Sequence, residues 1–142
     1  MNENAPWVRW ISGEKVHELY ADGIHRYGGS HSPSKDGCVD GALGAAYNGE
    51  LYSSPEVDGE YVVTGLAFCG LLLFYLSTKH CFVDGNKRVA WLATSYALLG
   101  MGLTLDVTDE EAIAFCIDLA SGKVESSDIV VHWVADHLKA IP

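Results

Sequence analysis

The chain has 142 residues, 49% of them hydrophobic and 20% charged, which is enough for one domain that buries a core of its own. Nine Lys and Arg against nineteen Asp and Glu give a net charge of −10. That balance speaks against a nuclease or a DNA reader, because nucleic-acid binding works by neutralising phosphates; a protein partner with a basic segment suits this body better.

In chain order, Met1 to Pro6 has neither a basic n-region nor an apolar h-region, so no secretion signal is expected. Ser12 can cap a helix whose stripe is Val16, Leu19, Tyr20 and Ile24, and Gly28-Gly29 ends it. Residues 30–37 are polar and turn-rich and read as a loop. A short helix is predicted from about Cys38 to Ala46, with Val39, Ala42, Leu43 and Ala46 on one face. Asn48-Gly49 between Ala46-Tyr47 and Leu51-Tyr52 has the pattern of a small β-hairpin.

A long apolar helix follows from about Glu60 to Lys79. Its apolar part, Tyr61 to Leu76, is shorter than the ~18–20 residues that span a bilayer. Thr64, Gly65 and Gly70 interrupt it, so it reads as a buried central helix and no membrane association is expected. His80 to Gly85 breaks the periodicity. A new helix starts near Asn86 and runs through Val89, Leu92, Ala93, Tyr96 and Leu99 to Gly100 or Gly102. Thr108-Asp109-Glu110-Glu111 is a capping box before Ile113, Cys116 and Ile117, and Gly122 stops that helix. Ser126-Ser127 opens a last helix through Ile129, Val130, Trp133, Val134 and Leu138. With no internal repeat or linker, the expectation is an all-α bundle with one short hairpin, a single domain over residues 1–142. Cys38, Cys69, Cys81 and Cys116 lie at irregular spacings without a C-x-x-C, and read as reduced residues of a cytoplasmic protein.

The segment His80-Cys81-Phe82-Val83-Asp84-Gly85-Asn86-Lys87-Arg88 joins the two longest helices. The first N–H groups of the second helix point unbonded into that connection, and Gly85 lets an anion approach the backbone. Lys87 and Arg88 stand in the first helical turn, where the macrodipole disfavours cations, so a bound polyphosphate is the expected counterpart. Asp84 beside such a cradle can hold Mg²⁺, which takes one or two carboxylates and completes its shell with phosphate oxygens. His80 can draw the proton from an attacking hydroxyl. Phe82 and Val83 are expected to anchor the loop in the core. These are the parts of a phosphoryl-transfer site.

His80-x-Phe82-x-Asp84-Gly85-Asn86-Lys87-Arg88 fixes seven positions and resembles the signature of the Fic/Doc superfamily, in particular the death-on-curing (Doc) toxins. The resemblance covers roughly Ile11 to Leu138, including Tyr52-Ser53, Leu98-Leu99-Gly100, Ala120-Ser121-Gly122 and Trp133. It implies a helical fold, ATP, Mg²⁺ and modification of a protein hydroxyl. It further implies His80 as base, Asp84 as metal ligand, Gly85, Asn86 and Lys87 as the anion hole and Arg88 as a phosphate holder. The stretch Tyr47, Asn48, Gly49, Leu51 and Tyr52 would be the flap that aligns the target as an added strand.

Two residues depart from the adenylylating Fic pattern: Lys87 replaces a glycine, and Trp91 stands in place of a second arginine, while Cys81 replaces the proline common in the motif. Doc toxins share the lysine and lack the arginine; they resemble kinases that transfer the terminal phosphate to a Ser or Thr of elongation factor Tu and so inhibit translation in bacteria. Ser121 to Glu125 is a poor match to the inhibitory segment of Fic enzymes, because Ser126 follows it. A separate antitoxin with a disordered tail is therefore expected.

Other readings remain open. Asp84 can simply cap the following helix, and the same motif can support adenylyl transfer or belong to a silent binding module. His17, His132 and His137 read as structural or solvent-facing, because their spacings do not make a zinc set. His25 and His31 flank Gly28-Gly29, in a target groove or a solvated loop. Asp109-Glu110-Glu111 is a helix-start charge pattern.

Overall fold

The computed structural model describes residues 4–142, so the first three residues of the Met1 to Pro6 segment lie outside the described residues. After a 3₁₀ turn at Pro6–Arg9 come α1 (Gly13–Tyr27), α2 (Cys38–Ser53), β1 (Glu56–Val57), β2 (Glu60–Tyr61), α3 (Leu66–Thr78) and α4 (Asn86–Gly100). The chain continues with β3 (Leu103–Leu105), α5 (Asp109–Ala120), α6 (Ser127–Asp136) and β4 (Leu138–Ala140). The expected helical class holds.

Local signals set most helix ends. The Ser12 side chain accepts from the Lys15 N–H, and Gly28 ends α1 at φ 88°. Thr108 and Glu111 form both halves of the capping box of α5, and Ser126 caps α6. The α3 helix is buried all round, through Phe68, Cys69, Gly70, Leu71, Leu72, Leu73 and Leu76, and packs against α2, α4 and α6. Gly70 is needed there: a Cβ would stand 2.7 Å from the Val131 Cα, so α6 crosses at backbone contact. No helix among the described residues is long and apolar enough to cross a membrane.

The hairpin expected at Tyr47 to Tyr52 is a correction. Tyr47, Asn48, Gly49, Leu51 and Tyr52 all lie in α2, which continues to Ser53. Two contacts hold that stretch helical. The Leu71 side chain presses on the bare face of Gly49. Glu50, 3% exposed, accepts from the Phe68 N–H through Oε1 (3.1 Å) and from the Ser54 hydroxyl through Oε2 (3.1 Å). A buried carboxylate thus caps the N-terminus of α3 from the neighbouring helix, where the dipole favours it. The β1–β2 hairpin lies a few residues later, with Glu56 opposite Tyr61 and Val57 opposite Glu60. It turns on Asp58 (φ 52°) and Gly59 (φ 81°), the paired positive φ of a tight hairpin turn.

Three further differences matter. The long apolar helix starts at Leu66, because Glu60 and Tyr61 belong to β2. The last helix ends at Asp136, since Leu138 enters β4, which pairs antiparallel with β3. Cys38 and Cys81 are joined in a disulfide, 43 residues apart with Cα atoms 5.5 Å from each other, and so are not the reduced residues expected from spacing. Cys69 and Cys116 are the free, buried thiols.

Candidate active site

The motif loop runs from the end of α3 to Gly85 and lies against the loop that follows α1. Four links join them. The Ser30 N–H donates to Asp84 Oδ2 (3.2 Å), the Val83 N–H to Ser32 Oγ (3.1 Å) and the Lys35 N–H to the Cys81 carbonyl (2.9 Å). The fourth, the Cys38–Cys81 bridge, fastens the motif loop where the loop after α1 passes into α2. Phe82 is buried and stacks on Tyr20 with ring centroids 3.7 Å apart. The Tyr20 hydroxyl accepts from the Ser32 N–H (2.9 Å) and donates to the Ser30 carbonyl (3.2 Å). Phe82 therefore anchors the loop as expected; Val83, 82% exposed, does not.

Asn86 binds the same loop from the other side. Its Oδ1 accepts from the Phe82 N–H (3.0 Å), and its Nδ2 donates to the Phe82 carbonyl (2.7 Å). Its side chain is thus used to hold backbone, leaving its main-chain N–H as what it offers an anion.

Gly85, at φ 80°, occupies the N-cap of α4, and no side chain caps that helix. Asp84 is therefore not the cap. Its Oδ1 accepts from the Gly85 N–H (2.8 Å) and its Oδ2 from Ser30, so two main-chain amides orient the carboxylate. Gly29, at φ 115°, makes room for it: a Cβ there would sit 2.7 Å from Asp84 Oδ2.

The first turn of α4 carries two cations with different fates. Arg88 Nη1 donates to the carbonyls of Gly23 (3.2 Å) and Gly28 (2.9 Å), and its guanidinium lies 5.3 Å from the Tyr27 ring centroid. It thereby satisfies the negative end of α1 and needs no anion to explain its place. Lys87 is exposed and has no salt bridge among the described residues. The unexplained charge at this helix start is Lys87.

A cavity of about 630 Å³ opens on this helix start. Asp84, Gly85, Asn86, Lys87 and Arg88 line one side of it, and Trp91, Leu92, Ala112, Ile113 and Ile117 provide an apolar wall. Its size suits a nucleotide-sized ligand. Phe115, stacked on Trp133 at 3.9 Å, and the edge of Trp91 against Trp133 tie α4, α5 and α6 together behind it. Cys116 also borders the cavity. Burial pushes its thiol up to about 11 while the Lys87 ammonium pulls the other way, so the thiol is protonated at neutral pH.

His80 stands apart from this wall. It is exposed and takes φ 50°, a left-handed conformation uncommon outside glycine, with no side-chain hydrogen bond among the described residues. The Tyr47–Tyr52 stretch is helical and does not bring a strand to the site; the segment with open strand edges is β1–β2.

No group of three or more His, Cys, Asp and Glu side chains that could hold a metal occurs among the described residues. Asp84 is the carboxylate next to the helix start, with Asp109 on the far wall of the same cavity, and this donor set fits Mg²⁺ arriving with phosphate oxygens and water rather than a protein-enclosed ion. His17 bonds the Gly13 carbonyl (2.8 Å) and Ser34 Oγ (2.9 Å), and His137 the Trp133 carbonyl (2.6 Å), in keeping with structural roles. The His31 ring packs on Tyr20 at 5.4 Å.

Sequence reasoning missed the contribution of Gly29, Ser30 and Ser32. Gly28-Gly29 carries the visible signal, but a helix stop accounts for it fully. Ser30 acts through its main chain and leaves no residue-type signature, and the Ser32 hydroxyl that accepts from the Val83 N–H is one serine among several in a polar loop.

The comparison with curated proteins gives no match. Residues 10–98 match the model described as the Fic/DOC family, and that span contains α1 to α3, all but the end of α4, the motif loop and the side of the cavity formed by Asp84 to Leu92. The match covers more than half of the chain, which therefore belongs to the Fic/DOC family, a family of protein-modifying transferases that use nucleotides such as ATP.

Proposed function

We propose that the chain is a Doc-type protein kinase, transferring the terminal phosphoryl group of ATP to a Ser or Thr hydroxyl of a protein. The observation that carries this reading is the uncapped start of α4, which presents the unpaired Lys87 and free main-chain amides to a cavity shared with Asp84. The apolar wall at Trp91, Leu92, Ile113 and Ile117 offers a place for the base, and it lies where an adenylylating enzyme would carry a second arginine.

In this reading Lys87 and the amides of Asn86 and Lys87 hold phosphate oxygens, and Arg88 supports them from its place across the end of α1. Mg²⁺ bound with the triphosphate would supply neutralising charge, with Asp84 as its protein ligand. An imidazole nitrogen of His80 accepts the proton of the incoming hydroxyl as its oxygen bonds to the γ-phosphorus and the bond to the β-phosphate oxygen breaks. The β1–β2 hairpin, with Tyr61 and Val62 exposed, is the segment suited to guide a target chain. Elongation factor Tu is the target we favour, restrained by a separate antitoxin in the bacterial cytoplasm.

Incubating the pure chain with lysate and either [γ-³²P]ATP or [α-³²P]ATP tests the reading. Label on a protein from the γ-position alone is expected. Label from the α-position would replace the kinase with an adenylyl transferase, and no label from either would point to a binding module.

A further inference from the structure

The disulfide does not sit at random in the fold. Cys81 is the residue after His80, is 1% exposed, and is bonded to Cys38, the first residue of α2. The turn before α2 also holds the backbone of Cys81: the Lys35 N–H donates to the Cys81 carbonyl (2.9 Å), and the Cys38 N–H closes the turn on the Lys35 carbonyl (3.0 Å). The next residues of the loop are held by other means: Phe82 by Tyr20 and Asn86, Val83 by Ser32, and Asp84 by Ser30 and Gly85.

His80 has no such support. Its side chain has no hydrogen-bond partner among the described residues, and its φ of 50° is a conformation that lasts only where the surroundings impose it. On its N-terminal side α3 ends with the Lys79 N–H on the Tyr75 carbonyl (2.9 Å); on its C-terminal side stands Cys81. The bridge is thus the covalent half of the clamp beside His80. Cys38 is half-buried, so an incoming thiolate meets its sulfur and not that of Cys81.

We propose that Cys38–Cys81 is a redox-modification site, opened by a dithiol reductant, and that its state sets how firmly His80 is positioned. A dithiol's thiolate attacks the Cys38 sulfur, the S–S bond breaks, and Cys81 leaves as a thiolate that takes up a proton. The second thiol of the reductant then displaces Cys38, so the reductant is oxidised by two electrons and the protein holds two thiols. In the cytoplasm, where the proposed function puts the chain, a bridge of this kind is responsive and not merely structural. The link to catalysis rests on His80 acting as the base; the bridge itself does not. The phosphate cradle is fastened separately, so opening the bridge changes kcat and leaves nucleotide affinity alone.

The test compares the oxidised chain, the dithiothreitol-treated chain and Cys38→Ser, with ATP and Mg²⁺ as the ligand. Alkylated cysteines counted under denaturing quench rise from two to all four while the treated chain stays folded by circular dichroism. Amide exchange over residues 79–83 speeds up about tenfold, and that over residues 86–98 is unchanged. Phosphoryl transfer loses about tenfold in kcat with the KM for ATP constant, and regains it on reoxidation. Cys38→Ser behaves as the reduced chain and ignores dithiothreitol. A bridge that opens only on unfolding, or equal exchange over residues 79–83 in both states, overturns the proposal. Absence of transfer in every state would instead sink the kinase reading, with the exchange result still deciding this one.

Discussion

Gly28→Ala and Gly29→Ala make a matched pair that isolates what orients Asp84. Both glycines have positive φ, 88° and 115°, so a side chain at either costs about 1–3 kcal/mol of backbone strain. They differ in surroundings. A Cβ at Gly28 meets nothing within 4 Å, whereas one at Gly29 stands 2.7 Å from Asp84 Oδ2. Restoring an ordinary 3.4 Å contact moves the carboxylate by 3.4 − 2.7 = 0.7 Å. A misplacement near 1 Å in a catalytic constellation costs on the order of 100-fold, so Gly29→Ala should lose roughly 30- to 100-fold in transfer rate. Gly28→Ala should lose comparable stability and little rate. Urea denaturation gives the stabilities, and initial rates with [γ-³²P]ATP over a Mg²⁺ titration give the activity. Equal rates for the two variants would refute the assignment of Gly29 as the space that seats Asp84.

Four other outcomes are expected. Lys87→Gln should weaken ATP binding about tenfold by calorimetry yet leave stability equal or up to about 1 kcal/mol higher, since it removes a cation from a helix N-terminus. Glu50→Ala should cost about 2–3 kcal/mol in urea, because the buried Phe68 N–H loses its acceptor. Burial holds the Cys69 and Cys116 thiols protonated up to about 12 and about 11 against an ordinary 9.0. Their folded-state values are raised, so their contribution is intact below pH 9 and is lost as pH rises through 11–12; Cys69→Ala should flatten that alkaline limb of the melting profile. Expression of the chain without a partner should arrest bacterial growth and His80→Ala should relieve it, as read by optical density.

The helical frame was legible because its signals are local. Ser12, Thr108 with Glu111, and Ser126 each bond their own helix, and the apolar run in α3 can only be buried. The hairpin was misplaced because Asn48-Gly49 and Asp58-Gly59 are equally good turn pairs as dipeptides. What separates them is tertiary for the first, through Leu71 on Gly49 and Glu50 on α3. For the second it is local, with Pro55 barring further helix and Val57 and Tyr61 favouring strand around Asp58-Gly59. The β3–β4 pair joins residues about 35 positions apart and leaves no periodic trace in three-residue strands. In the candidate site, Asp84 and Lys87 stood out as charges at a helix start and Gly85 as the glycine that opens it. Arg88 was only half readable, since its carbonyl partners lie on α1. The disulfide was invisible because spacing cannot report that residues 38 and 81 meet.

Asp84 is aimed by peptide N–H groups of Ser30 and Gly85, not by neighbouring side chains. Position 30 is therefore free to drift through many amino acids without disturbing the carboxylate, provided the backbone keeps its path and the position is not proline. The constraint at residue 30 thus falls on the path of the main chain and not on the identity of the side chain, unlike position 32, where the hydroxyl itself takes the Val83 N–H.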